Sequence, residues 1–323
     1  MGKIFKFALG ALAALSFGLA AVDHGARSQA ARTIRIVLGV PPGGSIDFLA
    51  RVLADQISNT TGQAIIVESK PGAGGIIAAE AVARAAPDGN TLLINVNGMF
   101  ISAILRKVNY DPLGSFEPIC NLVSTPQLIV VNNASPYRTL AELVDAARAK
   151  PSELSIASVG PNTTQHIGIE RFKRLAHADL TYVPYPGGAG AVNALLGAHV
   201  SAAVLNWSEI GEQVVTGKAR ALATMAPQRI EPLPELPTVA ESGYPDFETD
   251  VWFGLVAPAK TPKETVAQLI DWFSTTLAAP EVRAKLTAQA LYPRTECGAA
   301  FAAHLRRQSD LYNQLIRDLG IKE

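Results

Sequence analysis

Ile34-Arg35-Ile36-Val37-Leu38-Gly39-Val40-Pro41-Pro42-Gly43-Gly44-Ser45-Ile46-Asp47 is the stretch that decides the fold of this 323-residue chain. Ile34, Ile36, Leu38 and Val40 alternate as along a strand, and beyond the glycines Leu49, Leu53 and Ile57 share one helical stripe. A strand that ends in a glycine turn and opens a helix presents free backbone N–H groups, backed by the positive end of the helix dipole. That is a cradle for an anion. The same order recurs at Pro71-Gly72-Ala73-Gly74-Gly75 and at Gly160-Pro161-Asn162-Thr163-Thr164, so three loops are candidates to face a negatively charged ligand.

Outward from this unit, strand and helix patterns alternate almost throughout. Strands are expected at 34–40, 64–68 and 91–96, with helices at 46–58 and 75–85. A second block follows, with strands at 128–131, 154–158, 181–184, 201–205 and 220–224 and helices at 140–149, 164–175, 189–196 and 208–216. This alternation predicts an α/β fold of mainly parallel sheets flanked by helices. The proline-rich run Glu231-Pro232-Leu233-Pro234-Glu235-Leu236-Pro237 breaks the rhythm, a strand at 251–257 follows, and the rest reads as helix (263–277, 281–290, 299–319). A helical tail with no strand of its own is expected to cover the first sheet. That placement makes lobe 1 discontinuous (31–131 and 252–323), leaves 132–251 as lobe 2, and gives two crossing strands, near 128–133 and 251–258. Two crossings make a hinge, and hinged α/β lobes with loops at strand ends are built to close on a ligand.

Lys3 and Lys6 precede an apolar run from Phe7 to Val22 and then the small-residue segment Ser28-Gln29-Ala30-Ala31, the order of a cleavable secretory signal peptide spanning 1–30. Its removal takes three basic residues and one acid from a chain holding 28 of each, so the mature chain is nearly neutral. That balance gives no electrostatic footprint for nucleic acid or an anionic membrane surface. Cys120 and Cys297 could pair in an exported protein, although their apolar and small-residue surroundings read equally as those of core thiols. The histidines, at 24, 166, 177, 199 and 304, show no paired ligand spacing, so neither a metal nor a cofactor is expected.

The motifs, taken in order, resemble those of the Bug-type solute receptors of tripartite tricarboxylate transporters, a family of bacterial periplasmic binding proteins. The likeness covers the whole mature chain. It is carried by Pro41-Pro42-Gly43-Gly44 with Asp47, by Pro71-Gly72-Ala73-Gly74-Gly75, by Ala86-Pro87-Asp88-Gly89, by Tyr110-Asp111-Pro112, by Val183-Pro184-Tyr185, by Leu236-Pro237-Thr238-Val239-Ala240-Glu241 and by Trp252-Phe253-Gly254. The resemblance implies a two-lobed, type II-like periplasmic receptor that closes on a small carboxylate and delivers it to the membrane subunits of a transporter. It further implies that the first proline-glycine loop (Pro42, Gly43, Gly44) and a Gly-x-Gly-[Ser/Thr]-x-x-His loop meet the carboxylate. Here the second loop runs from Gly160 to His166, with Asn162 where glycine is usual. Pro186 replaces a common lysine, and Asn206-Trp207 replaces an aspartate-glycine pair, which argues against a cationic group on the ligand there.

Several of these residues have plainer readings beside the functional one. Ser45 and Thr163 fit as ordinary N-caps, a role compatible with ligand contact because a cap sits where the dipole points; Thr164 adds a hydroxyl beside them. Asp47 in a first helical turn is stabilised by the dipole, or holds a water or a ligand hydroxyl. His166 could donate to the ligand or be structural. Tyr185, Trp207 and Trp252 could wall a cleft or be core, and Gly74, Asn97, Phe100 and Gly188 stand at strand ends or helix starts facing the same way. The loops contain no arginine and, at one edge, only Lys70, so a mono- or dicarboxylate is favoured over a tricarboxylate. Hydrolase chemistry would want a Gly-x-Ser-x-Gly elbow, which is absent, and the glycine loops match no nucleotide-binding pattern, so no catalytic residue is expected. A monomer is expected, with a membrane sensor as the alternative partner.

Overall fold

The computed structural model describes residues 33–161, 163–185, 187–245, 247–294 and 296–321. The segment read as a signal peptide and positions Asn162 and Pro186 lie outside the described residues. The first half builds β1 (Ile34–Leu38), α1 (Ser45–Thr61), β2 (Ile65–Ser69), α2 (Ile76–Ala83), β3 (Thr91–Val96), α3 (Gly98–Leu105) and β4 (Phe116–Asn132). The second half builds α4 (Leu140–Ala149), β5 (Leu154–Val159), α5 (Thr164–Ala176), β6 (Leu180–Tyr185), α6 (Gly188–Leu196), β7 (Ala202–Asn206), α7 (Trp207–Val215) and β8 (Ala219–Thr224). The chain then runs through β9 (Asp250–Pro258), α8 (Lys263–Ala278), α9 (Pro280–Ala288), β10 (Tyr292–Pro293) and α10 (Ala299–Leu319).

Strand β4 organises the sheets. Its first part, Phe116 to Pro126, pairs antiparallel with β9, while from Gln127 onward the same strand pairs with β7 and β8. One set therefore reads β2-β1-β3-β9-β4 and the other β4-β7-β5-β6, with β8 on the far side of β4. The pairs β1–β2, β1–β3, β5–β6 and β5–β7 are parallel, as the alternating pattern predicts. The joining strands are not: β9 and β4 enter antiparallel because they cross between the halves instead of returning through a helix.

Both faces of each sheet are buried. In β1, Ile36 and Leu38 pack on Leu49, Leu53 and Ile57 of α1 and on Phe273 of α8, whereas Val37 faces Ala78, Phe100 and Phe301. In β4, Ile129 and Val131 join Leu143 and Phe172, while Leu128 and Val130 join Leu195 and Leu205. The helical tail packs on the first half, with Leu269, Phe273 and Leu277 on one face and Phe301, Leu305 and Tyr312 on the other. Ile167 of α5 also enters the latter cluster beside Trp252, so α5 bridges the two halves.

The two cysteines are joined. Cys120 in β4 and Cys297 form a disulfide, which corrects the core-thiol reading. The physical reason is topological: the segment after α9 runs along β4, with Arg294 N–H bonded to Leu122 O, Asn121 N–H to Glu296 O and Gly298 N–H to Ile119 O, which brings together residues 177 apart in sequence. Among the described residues no helix is long and apolar enough to cross a membrane.

Candidate functional site

A cleft of about 660 Å³ opens between the halves, a size suited to a small organic ligand. Four helix N-termini converge on it. From the first half come Gly44, Ser45 and Ile46 of α1 and Gly98 of α3; from the second come Thr163, Thr164 and Gln165 at the start of α5 and Asn206 before α7. The first N–H groups of a helix have no acceptor within it, so donors and aligned dipoles point into one space. Pro41, Pro42, Gly74 and Pro161 complete the rim, and Val40, Val96, Ile101, Leu105, Val251 and Phe253 form an apolar wall.

Each loop is held by its own bonds. Gly43 adopts φ +94°, a conformation that favours glycine, and its N–H donates to Asp47 Oδ2 at 3.1 Å. Arg51 binds both oxygens of that carboxylate at 2.9 and 3.0 Å, and its guanidinium lowers the Asp47 pKa from the usual carboxylate value. Asp47 thus fastens the loop from behind. The second glycine loop lies against the first: a Cβ on Gly39 would stand 2.7 Å from the Gly75 Cα, so Gly39 must lack a side chain, while Gly75 at φ +94° is in a conformation that favours glycine. In the third loop the Thr163 hydroxyl donates to Val159 O at 2.8 Å and accepts from His166 N–H at 3.3 Å, which makes it a true N-cap. Tyr182 Oη donates to Gly160 O at 2.6 Å, and the His166 ring stacks on Tyr182 at 4.4 Å, its pKa lowered by burial.

Of the residues singled out from sequence, the structure brings Pro42, Gly44, Ser45, Gly74, Thr163, Thr164 and Asn206 together as lining of the cleft. Gly43, Asp47, Gly160 and His166 stand behind that lining and shape the loops. Asn97 is buried, its side chain bonded to Tyr312 Oη at 2.9 Å and to Trp252 N–H at 3.1 Å. Trp252, read as a possible wall, is a core residue stacked edge-on to Phe100 and Phe301, and its indole N–H donates to Gln308 Oε1. Tyr185 and Trp207 pack on the second half's apolar cluster. Gly188 opens α6, but the Glu209 side chain fills the space in front of it: a Cβ there would meet Glu209 Oε1 at 2.3 Å. Burial raises the pKa of this carboxyl, which also accepts the Asn206 N–H at 2.8 Å.

Sequence reading missed one charged group. Arg106, just past the end of α3, lines the cleft together with Ile101, Ser102 and Leu105. This corrects the picture of a site without arginine. The available signal was a basic residue closing the apolar run from Met99 to Leu105, the usual charge preference at a helix C-terminus. Among the described residues, no cluster of His, Cys, Asp and Glu could hold a metal ion.

Residues 49–321 match the family model described as tripartite tricarboxylate transporter family receptor. The chain is 35% identical over 318 residues to "UPF0065 protein in gbd 5'region" of Cupriavidus necator, covering 96% of this chain and 95% of that one. Its fold is similar to that of the periplasmic binding protein BugD (32% identity, TM-score 0.76, 90% and 98% of the two chains). It is also similar to R. palustris Rpa4515 with adipate (30%, 0.79, 91% and 99%) and to MatC from Rhodopseudomonas palustris with bound malate (30%, 0.74, 88% and 99%). The chain therefore belongs to the tripartite tricarboxylate transporter receptor family, whose members among these neighbours are two-lobed periplasmic binding proteins.

Proposed function

We propose that this protein is an exported periplasmic receptor that closes on a small carboxylate and hands it to the membrane subunits of a transporter, without catalysing a reaction. The observation that carries the reading is the convergence of four helix N-termini on one cleft that no carboxylate side chain lines among the described residues. Such a site favours an anion without requiring an ion pair. Adipate and malate in the two neighbours support the ligand class, and the Cys120–Cys297 disulfide suits an oxidising compartment. In this reading the lobes hinge where β4 changes partners, at Pro126 and Gln127, and near the start of β9. Gly44, Ser45, Thr164 and Gln165 supply the donors, while Thr163 and Asp47 hold the loops.

The test is a thermal-shift screen of residues 31–323, unfolded and refolded to strip bound ligand, against mono-, di- and tricarboxylates, aromatic acids and amino acids. A ligand at about 100 times its dissociation constant adds about 2.7 kcal/mol of stability, a shift of a few degrees. Stabilisation by one or more carboxylates is expected. Stabilisation only by non-acidic compounds, or by none of the panel, contradicts the reading.

A further inference from the structure

We infer that a buried chamber inside the first half, behind the two glycine loops, takes an uncharged tail of the ligand, a single ring or an alkyl chain of like bulk that bears one hydrogen-bond donor. The inference rests on the carboxylate-receptor reading above and adds a site for the part of the ligand that is not the acid.

The chamber has a volume of about 190 Å³ and shares Val40, Ile46, Gly74 and Val96 with the lining of the cleft, so the two spaces adjoin. Its inner surface is formed by Ala79 of α2, Leu93 of β3, Met99 of α3 and Tyr110. The space exists because the chain leaves side chains out where the loops meet: Gly39 and Gly75 line it too, and a Cβ on Gly39 would collide with the Gly75 backbone. A cavity of ~150 Å³ lined by aliphatic and aromatic side chains stays dry and takes up benzene, so this chamber has room for one ring. Met99 is unbranched, and its side chain adapts to the shape of what enters.

No charged side chain lines the chamber among the described residues. Burial pushes the Tyr110 phenol up to about 12, so it is neutral at physiological pH, and its hydroxyl already donates to Met99 O at 3.1 Å. A carboxylate on the tail would enter without a counter-charge and at a heavy desolvation cost. The remaining polar side chain is that of Asn95, which is 5% exposed. Its Nδ2 donates to Met99 Sδ, a weak acceptor, at 3.5 Å, and its Oδ1 has no hydrogen-bond partner among the described residues. A buried amide oxygen without a donor is costly, and a hydroxyl or N–H on the tail is the group that completes it.

The experiment is a calorimetric titration of wild type, Ala79→Leu, Ala79→Val and Asn95→Leu with phenylacetate, phenylpropionate and phenylbutyrate, with their para-hydroxy forms, and with acetate, propionate and butyrate as acids without a ring. Ala79→Leu fills the chamber, and Ala79→Val is the milder filling should the larger one not fold; melting curves verify each variant. In wild type the best ring acid binds about tenfold or more tightly than its ringless counterpart, and its para-hydroxy form binds more tightly still. Filling at Ala79 removes the advantage of the ring and leaves the ringless acid within about twofold, whereas Asn95→Leu removes the advantage of the hydroxyl alone. A ring that brings no gain in wild type, or a filling that weakens ring and ringless acids alike, overturns the chamber as a site while leaving the receptor reading intact. A hydroxyl that brings no gain, or one whose gain survives in Asn95→Leu, overturns the donor requirement. Failure of every acid, adipate included, to bind wild type overturns the receptor reading and this inference with it.

Discussion

The loop between β1 and α1 and the loop between β6 and α6 share one grammar, a strand, a run of glycines and a helix start, yet they end in different states. At the first, Gly44 has φ −88° and open space where a Cβ would stand, and it lines the cleft. At the second, Gly187 has φ +110°, and Gly188 faces the Glu209 side chain, whose Oε1 lies 2.3 Å from the position of a Cβ. One cradle is left for a ligand; the other is occupied by the chain's own carboxylate. The pattern of residues therefore reveals where an anion is welcome, but the occupant is decided by what tertiary packing brings alongside.

Exchanging the glycines is the strongest way to break this comparison. Gly44→Leu places a side chain in the empty cradle without backbone strain and is expected to weaken carboxylate binding by about 100-fold or more, about 2.7 kcal/mol, with melting changed by about 1 kcal/mol at most. Calorimetry beside a melting curve separates the two effects. The counterpart at the filled cradle is Gly188→Ala, which drives a methyl into Glu209 and is expected to destabilise the fold by about 1–3 kcal/mol. Its folded protein should keep carboxylate affinity within a small factor of wild type, and a selective loss of binding would erase the contrast between the loops.

Smaller effects come from the carboxylates themselves. Burial raises the Glu209 pKa above 4.5, so the folded state holds its proton more firmly than the unfolded chain does. Stability from this group is full below 4.5 and is lost as pH rises through the higher folded value. Glu209→Gln should therefore be at least as stable as wild type at pH 7, with the gap closing below pH 4.5 in denaturant titrations. Asp47 has the opposite sign. Arg51 lowers its folded pKa below 3.8, so its contribution is present above 3.8 and lost as pH falls through the folded value. Asp47→Asn should be less stable near neutrality, with the difference vanishing in strong acid; a constant difference across pH would sever the link to charge.

Much of the frame was legible in sequence because it rests on local periodicity. The expected bounds of β3, α4 and α10 coincide with those observed, and α1, α5 and α7 differ by a residue or a few at their ends. What escaped has physical causes. Helix α3 begins at Asn97-Gly98, which reads as a turn, and its eight residues are apolar without a polar face, so no helical period shows. With α3 went Ile101, Ser102, Leu105 and Arg106 of the cleft wall. The first part of β4 carries Pro118 and Pro126, which argue against a strand, yet they are accommodated in an antiparallel pair with register shifts between Pro118 and Cys120 and between Asn121 and Val123. The Cys120–Cys297 pair and the Glu209 contact with Gly188 are long-range facts that no local pattern announces.

The central claim is that backbone donors at the empty cradle hold a carboxylate, and its most direct measurement is a paired titration of the refolded protein. The best-binding acid from the screen and its primary amide would each be titrated into wild type and into Gly44→Leu. The account predicts tight binding of the acid to wild type, binding of the amide weaker by about 100-fold, and loss of the acid in Gly44→Leu. Equal affinity for acid and amide, or unchanged binding of the acid to Gly44→Leu, would contradict it.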